Sequence, residues 1–456
     1  MAQHMRWHVI EENPDGRLRH LRDLEAWKTF DAKFLDFTSD PRNLWQDSFR
    51  REPEWTGDVD NGLFSPIENS KSKLSVSAKA PAGKAIPYSN ARLSRSEFFY
   101  SFPVTNGQKF IRLYFYPSSY GVNFLRSDSL FSIRAGSHTL LKDFNASFAA
   151  DDAGQETILR EYCVDVYTGE TLSLTITPSL SDPNTYAFIN GIEVISMPTF
   201  LYYTNPDDLQ GMTLDGGTQQ YQVKNNKALE TMYRVNVGGS HIPPEKDTGM
   251  FRYWDQDNAY LERERPHSVS AGFGLEVDHT NYPNYTAPDE VYLTARSYGM
   301  KETSKFNVTW EFEVDSEFTY TVRLHFCEFD EKIQNNGDRV FQIFINDALV
   351  EPVADVMMWT HKVLAPIHKD YAVSMPSDDG KLKLNLSIKL RPHPLARSTY
   401  RDVLLNGIEI LKISTDYNDN HASPSSNPLQ SPSTPSSRSS RNGNKAKEVH
   451  GGDENQ

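Results

Sequence analysis

The chain has 456 residues and carries 61 Asp and Glu against 47 Lys and Arg, a net charge of −14. That balance argues against a nucleic-acid polyanion as partner and favours a cationic one. No run of about 18 apolar residues occurs, so no segment reads as a membrane-spanning helix.

Aromatic residues make up 12% of the chain, with 22 Tyr and 25 Phe, an excess expected of many short strands. Residues 1–53 are the exception. There Leu21, Leu24, Trp27, Phe30, Phe34 and Phe37 recur every three to four residues, a stripe that predicts a helix packed by one face and no β-strand.

From residue 54 the pattern changes to alternation. In "KFIRLYFYP" Ile111, Leu113 and Phe115 share one face and Phe110, Arg112 and Tyr114 the other; in "YTVRLHFCE" Val322, Leu324 and Phe326 alternate with Thr321, Arg323 and His325. Each predicts a strand with one aliphatic face. Laying Arg112 on Arg323 gives an offset of 211 residues, and other segments follow it closely. Tyr100 falls on Trp310 and Leu172 on Leu382, both at 210; "NGIE" from Asn190 returns from Asn406 at 216. The chain is therefore a tandem duplication, with a period far too long for a solenoid. Repeat one is set at 54–222 and repeat two at 228–415. The strands of repeat one end at about Leu201, and a connector with Pro206, Gly211, Gly216 and Gly217 follows. The last stretch, 416–456, is Ser, Pro and Asn with almost nothing apolar, which predicts a disordered tail.

Two cysteines, Cys163 and Cys327, fall opposite Ala372 and Tyr116 in the repeat. Non-equivalent places in different repeats favour free thiols over a bridge. Four N-x-[ST] triplets start at Asn145, Asn284, Asn307 and Asn385. In "KLKLNLSIKL" the side chains Leu382, Leu384, Leu386 and Ile388 form the expected buried face, leaving Asn385 toward solvent.

Catalytic signatures are sparse. There is no Walker loop, G-x-S-x-G, H-E-x-x-H or C-x-x-C, and "AGFGLE" around Gly272 and Gly274 reads as a turn. His325 alternates with a strand core, while His361 and His368 read as loop residues, an arrangement that does not favour a metal site. Glu328, Asp330 and Glu331 could supply a glycosidase pair. Their counterpart in repeat one, "PSSYG", has no carboxylate, so a solvated loop is the preferred account. Tyr116, Tyr120, Asn123, Phe124 and Arg126 lie where a strand leaves the sheet; flat rings beside amide and guanidinium donors suit a sugar's apolar face and hydroxyls. Tyr rings that simply close the end of a sandwich are the competing reading.

Together "FIRLYFYP", "FSIRAGSHTLLKDF", "YAFINGIEVISMP", "YRVNVGG", "VYLTARSYG", "TVRLHFCE" and "LLNGIEILKI" closely resemble the ectodomain of FERONIA-type plant receptor-like kinases, the Catharanthus roseus receptor-like kinase family. The resemblance covers about residues 54 to 415. It implies an all-β fold of two tandem malectin-like β-sandwich (jelly-roll-like) domains, and no cofactor. The implied role is non-catalytic: sensing cell-wall pectin and basic rapid alkalinisation factor peptides at the extracellular side of the plasma membrane, with a GPI-anchored co-receptor. A carbohydrate-active enzyme or a soluble glycan-binding lectin is the alternative. Departures are expected at both ends. No secretory signal precedes the repeats, and neither membrane span nor kinase follows them, as in a truncated gene model or a soluble form. "YRVNVGG" begins 21 residues before Trp254, and the same distance before Trp55 lands on Phe34, inside the helical stripe. The first strand of repeat one is therefore expected to be missing.

Overall fold

A segment with apolar side chains at every second position can bury one face of a sheet and leave the other for polar contacts. The computed structural model describes residues 11–12, 18–19, 31–35, 55–58, 64–66, 76–81, 83–167, 169–262, 266–298, 307–394 and 398–415. Within them the alternating segments form two sandwiches of the same design. In repeat one a five-stranded sheet runs in the order His138–Phe144, Phe131–Ala135, Leu172–Pro178, Phe98–Phe102, Phe64–Pro66. In repeat two the matching sheet runs Ala348–Ala354, Phe341–Ile345, Lys383–Pro392, Val308–Asp315. The facing layers belong to one continuous 12-stranded sheet. Its repeat-one half runs Ile158–Val166, Gly107–Phe115, Gly191–Ser196, and its repeat-two half Pro366–Met375, Phe318–Cys327, Gly407–Ile413, Leu229–Asn236.

Register repeats along with strand order. Arg112 stands between Glu161 and Glu193 on the neighbouring strands, and Arg323 between Asp370 and Glu409. Tyr100 and Trp310 are both fully buried and sit in equivalent places. Each sandwich closes on its own apolar core. One contains Phe98, Phe102, Ile111, Leu113, Phe131 and Val194; the other Trp310, Phe312, Val322, Leu324, Phe341 and Ile410. The halves meet edge to edge where Tyr162 and Cys163 pair with Glu230 and Leu229.

The N-terminal segment corrects the sequence reading. Asp31–Leu35 is a strand, not part of a helix, and it fills the slot beside Gly191–Ser196 that Leu229–Asn236 fills in repeat two. The first strand of repeat one is therefore present, and five residue pairs close the edge. It runs parallel to its neighbour, whereas the repeat-two strand is antiparallel. The edge of Gly191–Ser196 offers backbone donors and acceptors that a lone helix cannot use, and that tertiary gain overrides a helical spacing. Glu11–Glu12 and Leu18–Arg19 likewise pair as strands. Leu21, Leu24, Trp27, Phe30 and Phe37 of the stripe, and the expected tail 416–456, lie outside the described residues. Among the described residues no helix is long and apolar enough to cross a membrane.

Candidate functional site

The loop leaving the central strand of repeat one is built around Asn190. Its Oδ1 accepts from Tyr116 N at 2.6 Å, and its Nδ2 donates to Asn90 O at 2.7 Å and to the Tyr120 hydroxyl at 3.0 Å. The Tyr120 hydroxyl donates to Tyr116 O at 2.8 Å, and its ring is buried against Phe188. Tyr120 thus closes the sandwich end. Arg126 is a strap: it donates to Pro117 O, to Ser147 O and, through both Nη atoms, to Asp151 of the helix Ala146–Asp152. Phe124 is half-buried, edge-on to Tyr186 at 5.1 Å and beneath the Arg95 guanidinium at 5.3 Å. Asn123 is exposed, its carbonyl held by Arg95. Tyr116 is half-buried with the Lys84 ammonium 5.4 Å above its ring. The five candidates are brought together, but Tyr120 and Arg126 serve the loop itself. Only Tyr120 is buried; Tyr116, Phe124 and Arg126 are half-buried and Asn123 is exposed.

Repeat two uses the same framework. Asn406 accepts from Cys327 N at 2.8 Å and donates to Tyr292 O and Thr294 O, both at 2.9 Å. A second constellation also recurs. Arg92 forks onto Asp58, which also accepts from the Tyr100 hydroxyl; Arg296 forks onto Asp257, which also accepts from Trp310 Nε1. These planar, two-bond pairs inside the protein fix the strands they join.

The acidic and histidine candidates resolve differently from the sequence reading. Glu328 does not lie in a solvated loop: it is buried and accepts from Arg339 Nη1 at 2.7 Å. Burial raises its pKa even against the pull of Arg339. Its strand ends one residue earlier, too short a run for alternation to reveal the turn inward. Asp330 is half-buried and Glu331 exposed. His368 lies on the strand Pro366–Met375, not in a loop; the polar spacing of "PIHKDY" hid a strand whose outer face is also covered. His325 is fully buried, its Nε2 3.0 Å from Glu409 Oε1 and its Nδ1 3.1 Å from the Tyr292 hydroxyl. His361 is exposed and closes the helix Val356–Thr360 in a left-handed conformation. Among the described residues no group of His, Cys, Asp and Glu is arranged to hold a metal ion. Cys163 and Cys327 are buried free thiols.

Of the four sequons, Asn284, Asn307 and Asn385 are exposed. Asn145 is half-buried and caps the helix Ala146–Asp152, its Oδ1 accepting from Phe148 N at 2.9 Å and Ser147 Oγ at 2.7 Å. The face expected to bury Leu382 through Ile388 is buried only from Leu386 onward. Leu384 is half-buried against the core, and Leu382, which precedes the strand Lys383–Pro392, is exposed.

The turn around Gly272 and Gly274 carries a feature that spacing did not reveal. Leu275 N bonds back to Gly272 O, Gly274 sits at φ +82°, and Phe273 at the tip is wholly exposed. Exposed Glu276 lies on the same loop. Asp289 and Glu290, also exposed, open the short helix that returns the chain to Leu293 O, the acceptor for Ala271 N. Asp289 is paired with His279 Nε2 at 2.7 Å.

The Malectin-like domain family matches this chain over residues 59–413. The chain is 42% identical over 374 residues to the receptor-like protein kinase FERONIA of Arabidopsis thaliana, covering 79% of this chain and 40% of that protein. It is 37% identical over 361 residues to the Arabidopsis thaliana receptor-like protein kinase ANXUR2, covering 76% of this chain and 40% of the other. The crystal structure of the plant receptor-like kinase FER superposes with a TM-score of 0.70 at 39% identity, over 80% of this chain and 92% of that one. FER in complex with the plant peptide RALF23 and LLG2 gives 0.71 at 38% identity, over 86% and 96%. The chain spans about 40% of the length of the receptor kinases it matches. It belongs to the malectin-like family, as a tandem malectin-like ectodomain of the FERONIA type.

Proposed function

We propose that this chain is the non-catalytic ligand-binding region of a FERONIA-type receptor at the extracellular side of the plasma membrane. Its two malectin-like domains would bind a basic secreted peptide of the rapid alkalinisation factor class together with a GPI-anchored co-receptor. The observation that carries this reading is the likeness, over 96% of that chain, to the FER ectodomain crystallised with RALF23 and LLG2. Two properties of this chain support it: the net charge of −14, and the exposed Phe273 on the loop that also carries exposed Glu276. Long-range attraction favours encounter with a cation, and a single ring supplies the apolar anchor. The test is calorimetric titration of the chain with such a peptide, with and without the co-receptor. Peptide binding that weakens at least tenfold in Phe273→Ala supports the assignment; absence of binding in both arms overturns it.

Cell-wall polysaccharide is the second ligand of this reading, favoured by the half-buried Tyr116 ring with Lys84 above it. A ring beside an ammonium suits a uronic sugar, which offers an apolar face and a carboxylate that would take the place of Glu156, the present ion-pair partner of Lys84. Demethylesterified pectin fragments are the probe. Retention of the chain on pectin that Tyr116→Ala and Lys84→Ala both abolish supports this site. Retention unchanged in both variants removes it.

A further inference from the structure

Repeat one ends its larger sheet with the strand Ile158–Val166, where Tyr162 and Cys163 stand opposite Ile111 and Phe110 and pair outward with Glu230 and Leu229 of repeat two. The equivalent positions in repeat two are Tyr371 and Ala372, opposite Val322 and Thr321. Their outward neighbours are not a third repeat but Thr213 and Leu214 of the connector. At equivalent edge positions, a strand of a malectin-like domain therefore occupies the slot on repeat one, antiparallel, and three residues of connector, Met212–Leu214, occupy it on repeat two, parallel.

The connector is shaped for this place. Asp215 N donates to Ala372 O at 2.9 Å, and Ser374 N donates back to Asp215 Oδ1 at 2.7 Å. The turn then crosses to the other sheet. Gly216 sits at φ +67°, where a Cβ would stand 3.0 Å from Leu349 O on the edge strand Ala348–Ala354. At the start of the hairpin Gly211, at φ +64°, lets the arm reach Tyr221, since a Cβ there would lie 2.4 Å from Tyr221 O. The hairpin thus covers the edge of the larger sheet of repeat two and touches the smaller sheet only where Gly216 passes Leu349. It contributes little to the core: Met212, Thr213 and Leu214 are each only half-buried, and Leu209 before them is almost fully exposed.

We propose that this hairpin is an edge plug, and that the slot beside Tyr371 and Ala372 is a latent surface for a second copy of this chain. An uncovered edge presents unpaired backbone donors and acceptors and recruits another strand. The pairing at Tyr162 and Cys163 supplies the precedent for which strand fits: one from another malectin-like domain. The contact is heterologous, so copies joined through it would extend as a string and not close as a two-fold dimer.

The test uses the full chain in three forms: wild type, Asp215→Pro and Asp215→Ala. Proline removes the donor to Ala372 and cannot adopt the φ of +52° found at residue 215; alanine removes only the bond from Ser374. Hydrogen exchange at the Ala372 amide, on the strand that the hairpin pairs with, and sedimentation velocity over a concentration series are read together. Wild type is expected to sediment as a monomer. In Asp215→Pro the Ala372 amide exchanges at least tenfold faster and the protein associates as concentration rises, with Asp215→Ala intermediate. A synthetic peptide of residues 209–222 added in excess returns Asp215→Pro to monomer. Faster exchange without association, association without faster exchange, or association that the peptide leaves unchanged each overturns the proposal.

Discussion

Arg234, on the first strand of repeat two, donates from Nη2 to Glu161 Oε1 of repeat one at 2.9 Å and from Nε to Glu409 Oε2 at 2.9 Å. Glu161 Oε2 in turn accepts from Arg112 Nε at 2.6 Å, and Arg112 Nη1 reaches Glu193 at 2.9 Å. Alternating charges therefore run across the junction, each nearly or fully buried. The Tyr202 hydroxyl, from the segment after repeat one, donates to Glu409 as well. Such pairs gain little over an apolar interior, but removing one member strands its partners.

Glu161→Gln is expected to lower stability by about 3 to 5 kcal/mol, the usual cost of breaking a buried pair, measured by urea unfolding at pH 7. Burial works to raise the Glu161 pKa, but Arg234 and Arg112 hold it down, from 4.5 to about 2. A carboxylate with a depressed folded pKa contributes stability that is complete above its unfolded pKa and lost as pH falls through the folded one. The wild type should lose stability between pH 4.5 and 2, and Glu161→Gln should lose less over that window. Parallel curves for the two proteins would place the acid sensitivity elsewhere.

His325 titrates with the opposite chemistry and the same sign. Burial lowers its pKa below 6.5 despite its contact with Glu409. The unfolded chain therefore binds a proton below pH 6.5 that the folded chain refuses, and stability falls as pH drops through that region. His325→Gln should flatten the unfolding free energy between pH 6.5 and 5. A slope left unchanged in that variant would show that His325 does not set it.

Asn406 and Asn190 occupy equivalent places and carry equivalent duties. Asn406→Ala leaves Cys327 N, Tyr292 O and Thr294 O without their partner inside the protein. The expected loss is at least about 3 kcal/mol, since each stranded buried group costs about 1 to 3. Asn190→Ala should cost a similar amount, through Tyr116 N, Asn90 O and the Tyr120 hydroxyl. Thermal unfolding of the two variants side by side checks both magnitude and equivalence.

When the chain is passed through a plant secretory pathway behind a fused leader, glycans are expected at Asn284, Asn307 and Asn385 and little at Asn145. The first three are exposed, whereas Asn145 is engaged as a helix cap. Mass spectrometry of the glycopeptides gives the occupancy of each. Asn145→Ala should cost about 1 kcal/mol by loss of the cap.

The duplication was legible because alternation is a local property with a period of two, and the order of strands survived in sequence. Arg112 on Arg323, Tyr100 on Trp310 and Asn190 on Asn406 could be paired by counting alone, and the structure places each pair in equivalent positions. The clustering of Tyr116, Tyr120, Asn123, Phe124 and Arg126 was legible in the same way, since they follow one strand end. Tertiary structure decided which of them are already engaged, because Asn190 and Asp151, distant in sequence, claim Tyr120 and Arg126. It also decided that Phe34 lies in a strand and that Glu328 is paired with Arg339. It sets Phe273 at an exposed tip and the connector over the edge of repeat two. Spacing along the chain records which face of a segment is apolar; the neighbour a strand edge meets, and what covers its polar face, depend on contacts between residues far apart, which no local period encodes.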